Sequence, residues 1–124
     1  MRILIIDDVP QVRQDLRLLL ELSGEVEVVG EAADGRDALS LTEALQPDVV
    51  LMDLEMPRLD GYEATRAIKA RWPDCRVIAF SVHVYPEARQ RAARAGMDDF
   101  VEKGAPLWQI IRAMGLPQKQ DNDS

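Results

Sequence analysis

The run Val49-Val50-Leu51-Met52 constrains this chain more than any other feature. Apolar on both alternating faces and led by β-branched residues, it reads as a strand covered on both sides, so helices must lie on each face of its sheet. It stops on a carboxylate, Asp53, and Pro57 blocks a simple continuation. An acid at the carboxyl end of a buried strand stands where open α/β sheets keep their binding sites. Alone, it could equally cap a helix or shape a turn.

The rest of the chain repeats the pattern. Arg2-Ile3-Leu4-Ile5-Ile6 is a second buried strand ending on Asp7-Asp8, and Pro10 suits the first turn of a helix. Val12, Leu16, Leu19 and Leu20 give that helix a packing stripe as far as Ser23-Gly24. Glu25-Val26-Glu27-Val28-Val29 alternates polar and apolar, as a less buried edge strand does. Asp34 can cap the next helix, which packs through Ala38, Leu39, Leu41, Thr42 and Leu45. Asp60-Gly61-Tyr62-Glu63 has capping-box spacing and opens a helix carrying Ala64, Ile68 and Trp72. Arg76 to Ser81 is a fourth strand, Pro86 to Gly96 an Ala- and Arg-rich helix, Asp99 to Lys103 a short fifth strand, and Ala105 to about Met114 a last helix. Strands alternating with helices in this way imply an α/β fold, a five-stranded parallel sheet covered on both faces. With right-handed crossovers the doubly wound order 2-1-3-4-5 follows, and it places the alternating strand at an edge.

Length and charge narrow the function. The 124 residues suit one domain, 1–117, with a polar tail or start of a linker at 118–124. A net charge of −7 argues against a general nucleic-acid or membrane surface. A single cysteine, Cys75, excludes an internal disulfide. No run approaches the roughly 18 apolar residues of a membrane span, and the N-terminus lacks a signal-peptide pattern, so a cytoplasmic location is expected.

Parallel strands end on one side, so Asp7, Asp8, Asp53, Ser81 and Lys103 should gather at one rim. The order reverses between Asp7/Asp8 and Asp53. Crowded carboxylates repel unless a cation is present, and an all-oxygen set suits Mg²⁺. A carboxylate there can attack phosphorus to form an acyl phosphate, while Lys103 and Ser81 meet the phosphoryl oxygens. Taken singly, Asp7-Asp8 is more often helix N-terminal charge, Lys103 solvated surface and Ser81 nothing at all. Four strands each ending on a compatible group outweigh those readings.

With Asp7-Asp8, Asp53, Met56-Pro57, Asp60-Gly61, Ser81 and Lys103 in these places, the sequence resembles the receiver domain of two-component response regulators. Val28 to Gly35 and Pro47 to Asp53 are similar to the LuxR/NarL-type class. The resemblance implies a flavodoxin-like three-layer sandwich. It implies that Asp53 is the phosphoacceptor, served by a sensor histidine kinase. Asp8, Asp53 and the backbone carbonyl of Glu55 would ligate Mg²⁺, with Asp7 acting through water. Ser81 and Lys103 would bind the phosphoryl group, and Ser81 with Phe100 would form the switch. It also implies transcriptional regulation through a DNA-binding output domain not present in these residues. The rival reading is an aspartate-nucleophile phosphohydrolase. That chemistry needs an aspartate two residues after the nucleophile, where this chain has Glu55, and a cap domain, which it lacks. A switch that phosphorylates itself but turns over no separate substrate is therefore expected.

Departures from the family pattern lie around the site. Val82 replaces the usual small residue after Ser81, and His83 and Glu55 stand where side chains can reach an attacking water. These three positions are expected to govern dephosphorylation. In the last helix Trp108 lies off the stripe formed by Leu107, Ile110, Ile111 and Met114. With Phe100 and the basic fourth helix (Arg89, Arg91, Arg94) it marks a surface for a homodimer or output-domain contact.

Overall fold

The apolar runs pair as five parallel strands, β1 (Arg2–Ile6), β2 (Glu27–Ala32), β3 (Val49–Met52), β4 (Arg76–Ser81) and β5 (Asp99–Glu102), in the order 2-1-3-4-5. Five helices connect and follow them: α1 (Pro10–Leu22), α2 (Gly35–Leu45), α3 (Gly61–Arg71), α4 (Pro86–Ala95) and α5 (Leu107–Ala113). This computed structural model describes residues 1–56, 59–82 and 84–115; Pro57, His83 and the polar tail lie outside the described residues.

Strand alternation sorts the core into two faces. Ile3, Ile5, Leu51, Ile78 and Val101 meet Leu16 and Leu20 of α1 and Ile110 and Ile111 of α5. On the other face Leu4, Ile6, Val50, Met52 and Val77 meet Ala38 of α2 and Ala64 and Ile68 of α3. A smaller cluster, Leu54, Tyr62, Ala79, Ala92 and Ala95, seats α4 beside the loop that follows β3. Each fully buried Leu or Ile contributes about 1.5–3 kcal/mol, so the central strands anchor the domain.

The helices are opened by chemistry visible in the sequence. Asp34 accepts from the Asp37 amide at 3.0 Å, and Asp60 from the Glu63 amide at 2.9 Å. Gly96, at φ 100°, ends α4 in the left-handed region that glycine adopts most easily. At the start of α3, Gly61 is pressed against the chain leaving β3, where a Cβ would overlap the Asp53 carbonyl oxygen.

Four details differ from the sequence reading. β2 lies two residues later than the alternation implied. It holds an irregularity in which Ile3 pairs with Val28 and Leu4 with Gly30, leaving Val29 unmatched. α5 begins at Leu107, because Pro106 is extended (ψ 155°) and forms its N-cap. β5 ends at Glu102, one residue before Lys103. Leu19, placed on the α1 stripe, is 46% exposed, since Leu16 and Leu20 already fill the space above β1.

Candidate functional site

The sheet's hydrogen bonding runs one step past the strands and sets the rim. The Asp7 amide donates to Ala32 O at 3.0 Å, the Asp53 amide to Ile6 O at 2.9 Å, and the Lys103 amide to Ser81 O at 2.8 Å. Three strand ends are thus locked in register, and Asp7, Asp8, Asp53 and Lys103 come together at the rim, with Ser81 closing β4 beside the Lys103 backbone. Asp7, Asp53 and Ser81 are buried there, while Asp8 is exposed.

Oxygens of Asp7, Asp8 and Asp53 all lie within 4.8 Å of one another. The Lys103 ammonium reaches into the group, 2.7 Å from Asp7 Oδ2 and 3.5 Å from Asp53 Oδ1. Asp7 Oδ1 accepts from the Val9 amide at 2.9 Å, and the Glu55 amide lies 3.4 Å from Asp53 Oδ1. Asp7 Oδ2 is buried, and its one close donor among the described residues is the Lys103 ammonium at 2.7 Å, whose approach is poorly aligned for a full hydrogen bond.

The protonation chemistry follows from that crowding. Burial first, then the charge of Asp7, raises the Asp53 pKa to about 6, although Lys103 and the Glu55 amide pull it down. Burial alone would lower the Lys103 pKa, but the bond to Asp7 and the charge of Asp53 outweigh it, and the pKa is raised. Lys103 therefore stays charged while the carboxylates compete for one ammonium. A hard divalent cation fits this donor set: all oxygen, one buried carboxylate oxygen short of a donor, and more negative than positive charge.

The surrounding positions fall as follows. Glu55 is exposed at the mouth, and Val82 is 61% exposed beside Ser81. His83 lies outside the described residues. Phe100 is half-buried, packed against the cluster of Leu54 and Ala79, with the Arg89 guanidinium 4.7 Å above its ring. Trp108 is 49% exposed and lines a groove with Phe100 and Arg112. The sequence reading missed Arg13, whose Nη1 donates to Asp7 O at 2.6 Å. Arg91, read from the sequence only as part of the basic face of α4, also sits 4.1 Å above the Tyr62 ring and 3.7 Å from Asp60. Both join elements distant in sequence, and no local pattern announces such pairs.

Among known proteins, the response regulator receiver domain family model matches residues 3–114. The transcriptional regulatory protein DegU of Brevibacillus brevis is 42% identical over 113 residues, 91% of this chain and 48% of DegU. A protein-glutamate methylesterase/protein-glutamine glutaminase of Alkalilimnicola ehrlichii is 43% identical over 104 residues, 82% of this chain and 26% of that protein. The signal receiver domain of the response regulator NarL from Mycobacterium tuberculosis superposes with a TM-score of 0.86 at 38% identity, covering 90% of each chain. The chain spans about half the length, or less, of these curated relatives.

Proposed function

The chain belongs to the response regulator receiver domain family, whose role is phosphorylation-based signalling, and from that premise we propose that Asp53 is its phosphoacceptor. In this reading an Asp53 oxygen attacks the phosphorus of a phosphohistidine on a sensor histidine kinase. The new O–P bond forms as the N–P bond breaks, and the imidazole nitrogen keeps the electron pair. The observation that carries the reading is Asp53 itself: a buried carboxylate at the end of β3, within 3.5 Å of Lys103 and among two further acids.

Asp8, Asp53 and the Glu55 carbonyl would hold Mg²⁺, with Asp7 engaged through water, and the ion would offset charge on the phosphoryl oxygens. Lys103 would turn from Asp7 toward a phosphoryl oxygen, and the Ser81 hydroxyl would donate to another. Because Phe100 packs against Ala79 of the same strand as Ser81, movement of Ser81 has a route to the α4–β5 surface. Glu55 and Val82 flank the mouth and would control approach of water to the acyl phosphate; His83 keeps its place in that proposal from sequence. Unchanged decay of the phosphorylated form in both Glu55→Ala and Val82→Ala would remove these two residues from it.

Regulation of transcription through an output domain beyond these residues is the output we favour, on the similarity to DegU. Trp108, with Arg89, Arg91 and Arg94 exposed on α4, would supply a homodimer or output-domain contact. Sedimentation with and without a phosphoryl mimic tests self-association, and a monomer in both states rejects it. The central experiment is incubation with a small phosphodonor and Mg²⁺ followed by intact mass. One phosphoryl adduct is expected, absent in Asp53→Asn. An adduct that survives Asp53→Asn overturns the assignment.

A further inference from the structure

Apart from Pro10 in its first turn, α1 begins without the usual side-chain and charge support of a helix start. Its N-cap, Val9, offers no side-chain acceptor, its first turn holds no acid, and a cation, Arg13, stands near the positive end of the helix dipole. Local rules are broken in this way where function demands it. Arg13 is mostly buried, with 18% of its side chain exposed, and it bridges Glu31 of β2 and the chain leaving β1. Its Nη1 donates to the Asp7 carbonyl at 2.6 Å, and its Nε donates to Glu31 Oε1 at 3.2 Å. Arg17 holds the other Glu31 oxygen, Oε2, at 2.6 Å, so the carboxylate orienting Arg13 is itself fixed.

The result is a backbone clamp. β2 ties the Asp7 amide directly through Ala32 O, and it ties the Asp7 carbonyl through Glu31 and Arg13. The Asp7 side chain fastens the Val9 amide on the far side of Asp8. Asp8 lies between these anchors, and no donor among the described residues meets its carboxylate, so the backbone alone aims it. Arg17 already joins α1 to Glu31, so holding the helix to the strand does not by itself require the Arg13 bond to Asp7 O.

We propose that Arg13, oriented by Glu31, is a positioning residue that fixes the Asp7–Asp8 peptide and so sets the Asp8 carboxylate for a divalent cation. The inference rests on the functional reading above. The test titrates Mg²⁺ calorimetrically into the wild-type chain, Arg13→Met, Arg13→Lys and Glu31→Gln at one ionic strength. Urea unfolding in a chelator and adduct formation at saturating Mg²⁺ are measured beside it. Removing a partner that orients a metal ligand typically weakens affinity by 10-fold or more, so Arg13→Met should raise the half-saturating Mg²⁺ about 10-fold. Arg13→Lys, which can reach one acceptor but not both, should fall between, and Glu31→Gln should show a smaller rise. At saturating Mg²⁺ each should still be modified at Asp53.

An Arg13→Met chain that is less stable to urea but binds Mg²⁺ within about twofold of wild type overturns the proposal. Should Arg13→Met not fold, an unchanged Mg²⁺ affinity in Glu31→Gln and Arg13→Lys overturns it equally. Failure of the wild type to bind Mg²⁺ overturns the functional reading and this inference together. Binding by the wild type with every variant unchanged overturns this inference alone.

Discussion

At the amino ends of the strands, charges are met by several partners each. Lys69 donates to Pro73 O, Cys75 O and Asp98 Oδ2, and that same Asp98 oxygen accepts the Val77 amide at 2.8 Å. Arg2 closes the end of α2 through Leu45 O and Gln46 O, and Arg76 reaches Ala113 O at 2.7 Å. Cys75, buried there, has its pKa pushed up to about 11 by burial and stays a thiol. At the carboxyl ends, three carboxylates crowd together and one ammonium meets two of them, one buried oxygen lacks an aligned donor, and a helix begins without a side-chain cap. One end of the sheet spends its polar groups on stability, and the other holds them in a state that a cation or a phosphoryl group can relieve.

The largest effect is expected from a change of shape where α3 presses on the chain leaving β3. Gly61→Ala would push a Cβ into the Asp53 carbonyl, and the bond from the Asp53 amide to β1 limits how far that residue can shift away. A loss of about 3 kcal/mol in urea unfolding is expected, with weakened phosphorylation, because the nucleophile's own backbone moves. At the other end, Lys69→Met removes three donated bonds and leaves Asp98 without its cation. It should cost about 2–3 kcal/mol and leave Mg²⁺ affinity and adduct formation unchanged. A fall in Mg²⁺ affinity in Lys69→Met would show that the two ends are coupled.

The third prediction has the opposite sign. The Asp53 pKa is raised from 3.8 to about 6, so the folded chain binds this proton more tightly than the unfolded one. The stability this contributes is complete below about pH 4 and is lost as pH rises through about 6. Without metal, Asp53→Asn should therefore be more stable than wild type by about 1–3 kcal/mol at pH 7, with little gain at pH 4. Chelator-treated samples unfolded in urea across that range test it. No gain at pH 7 would mean that Lys103 already balances the site.

Legibility follows the same division. β1, β3 and β4 were readable because strands covered on both faces need unbroken apolar runs, and their final residues then share a rim by topology. β2 was displaced because half-exposed Val29, Gly30 and Glu31 carry no clean alternation across the irregularity, although a glycine inside a strand is the usual sign of one. The start of α5 was missed because Pro106 caps the helix where propensity would have extended it. Asp53 and Lys103 could be found as strand ends. Arg13 could not, since its meaning depends on Glu31 of β2 lying beside α1 in space.

The two tryptophans lie at opposite ends of the molecule, a placement with an optical consequence. Trp72, half-buried under the Arg71 guanidinium, belongs to the stabilised end. Trp108 borders the groove it shares with Phe100. The chain's intrinsic fluorescence is thus the sum of a reference emitter and a reporting one. Quenching of Trp72 with Trp108 left intact would follow unfolding from below, while a spectral shift confined to Trp108 would record rearrangement around Phe100 without any attached dye.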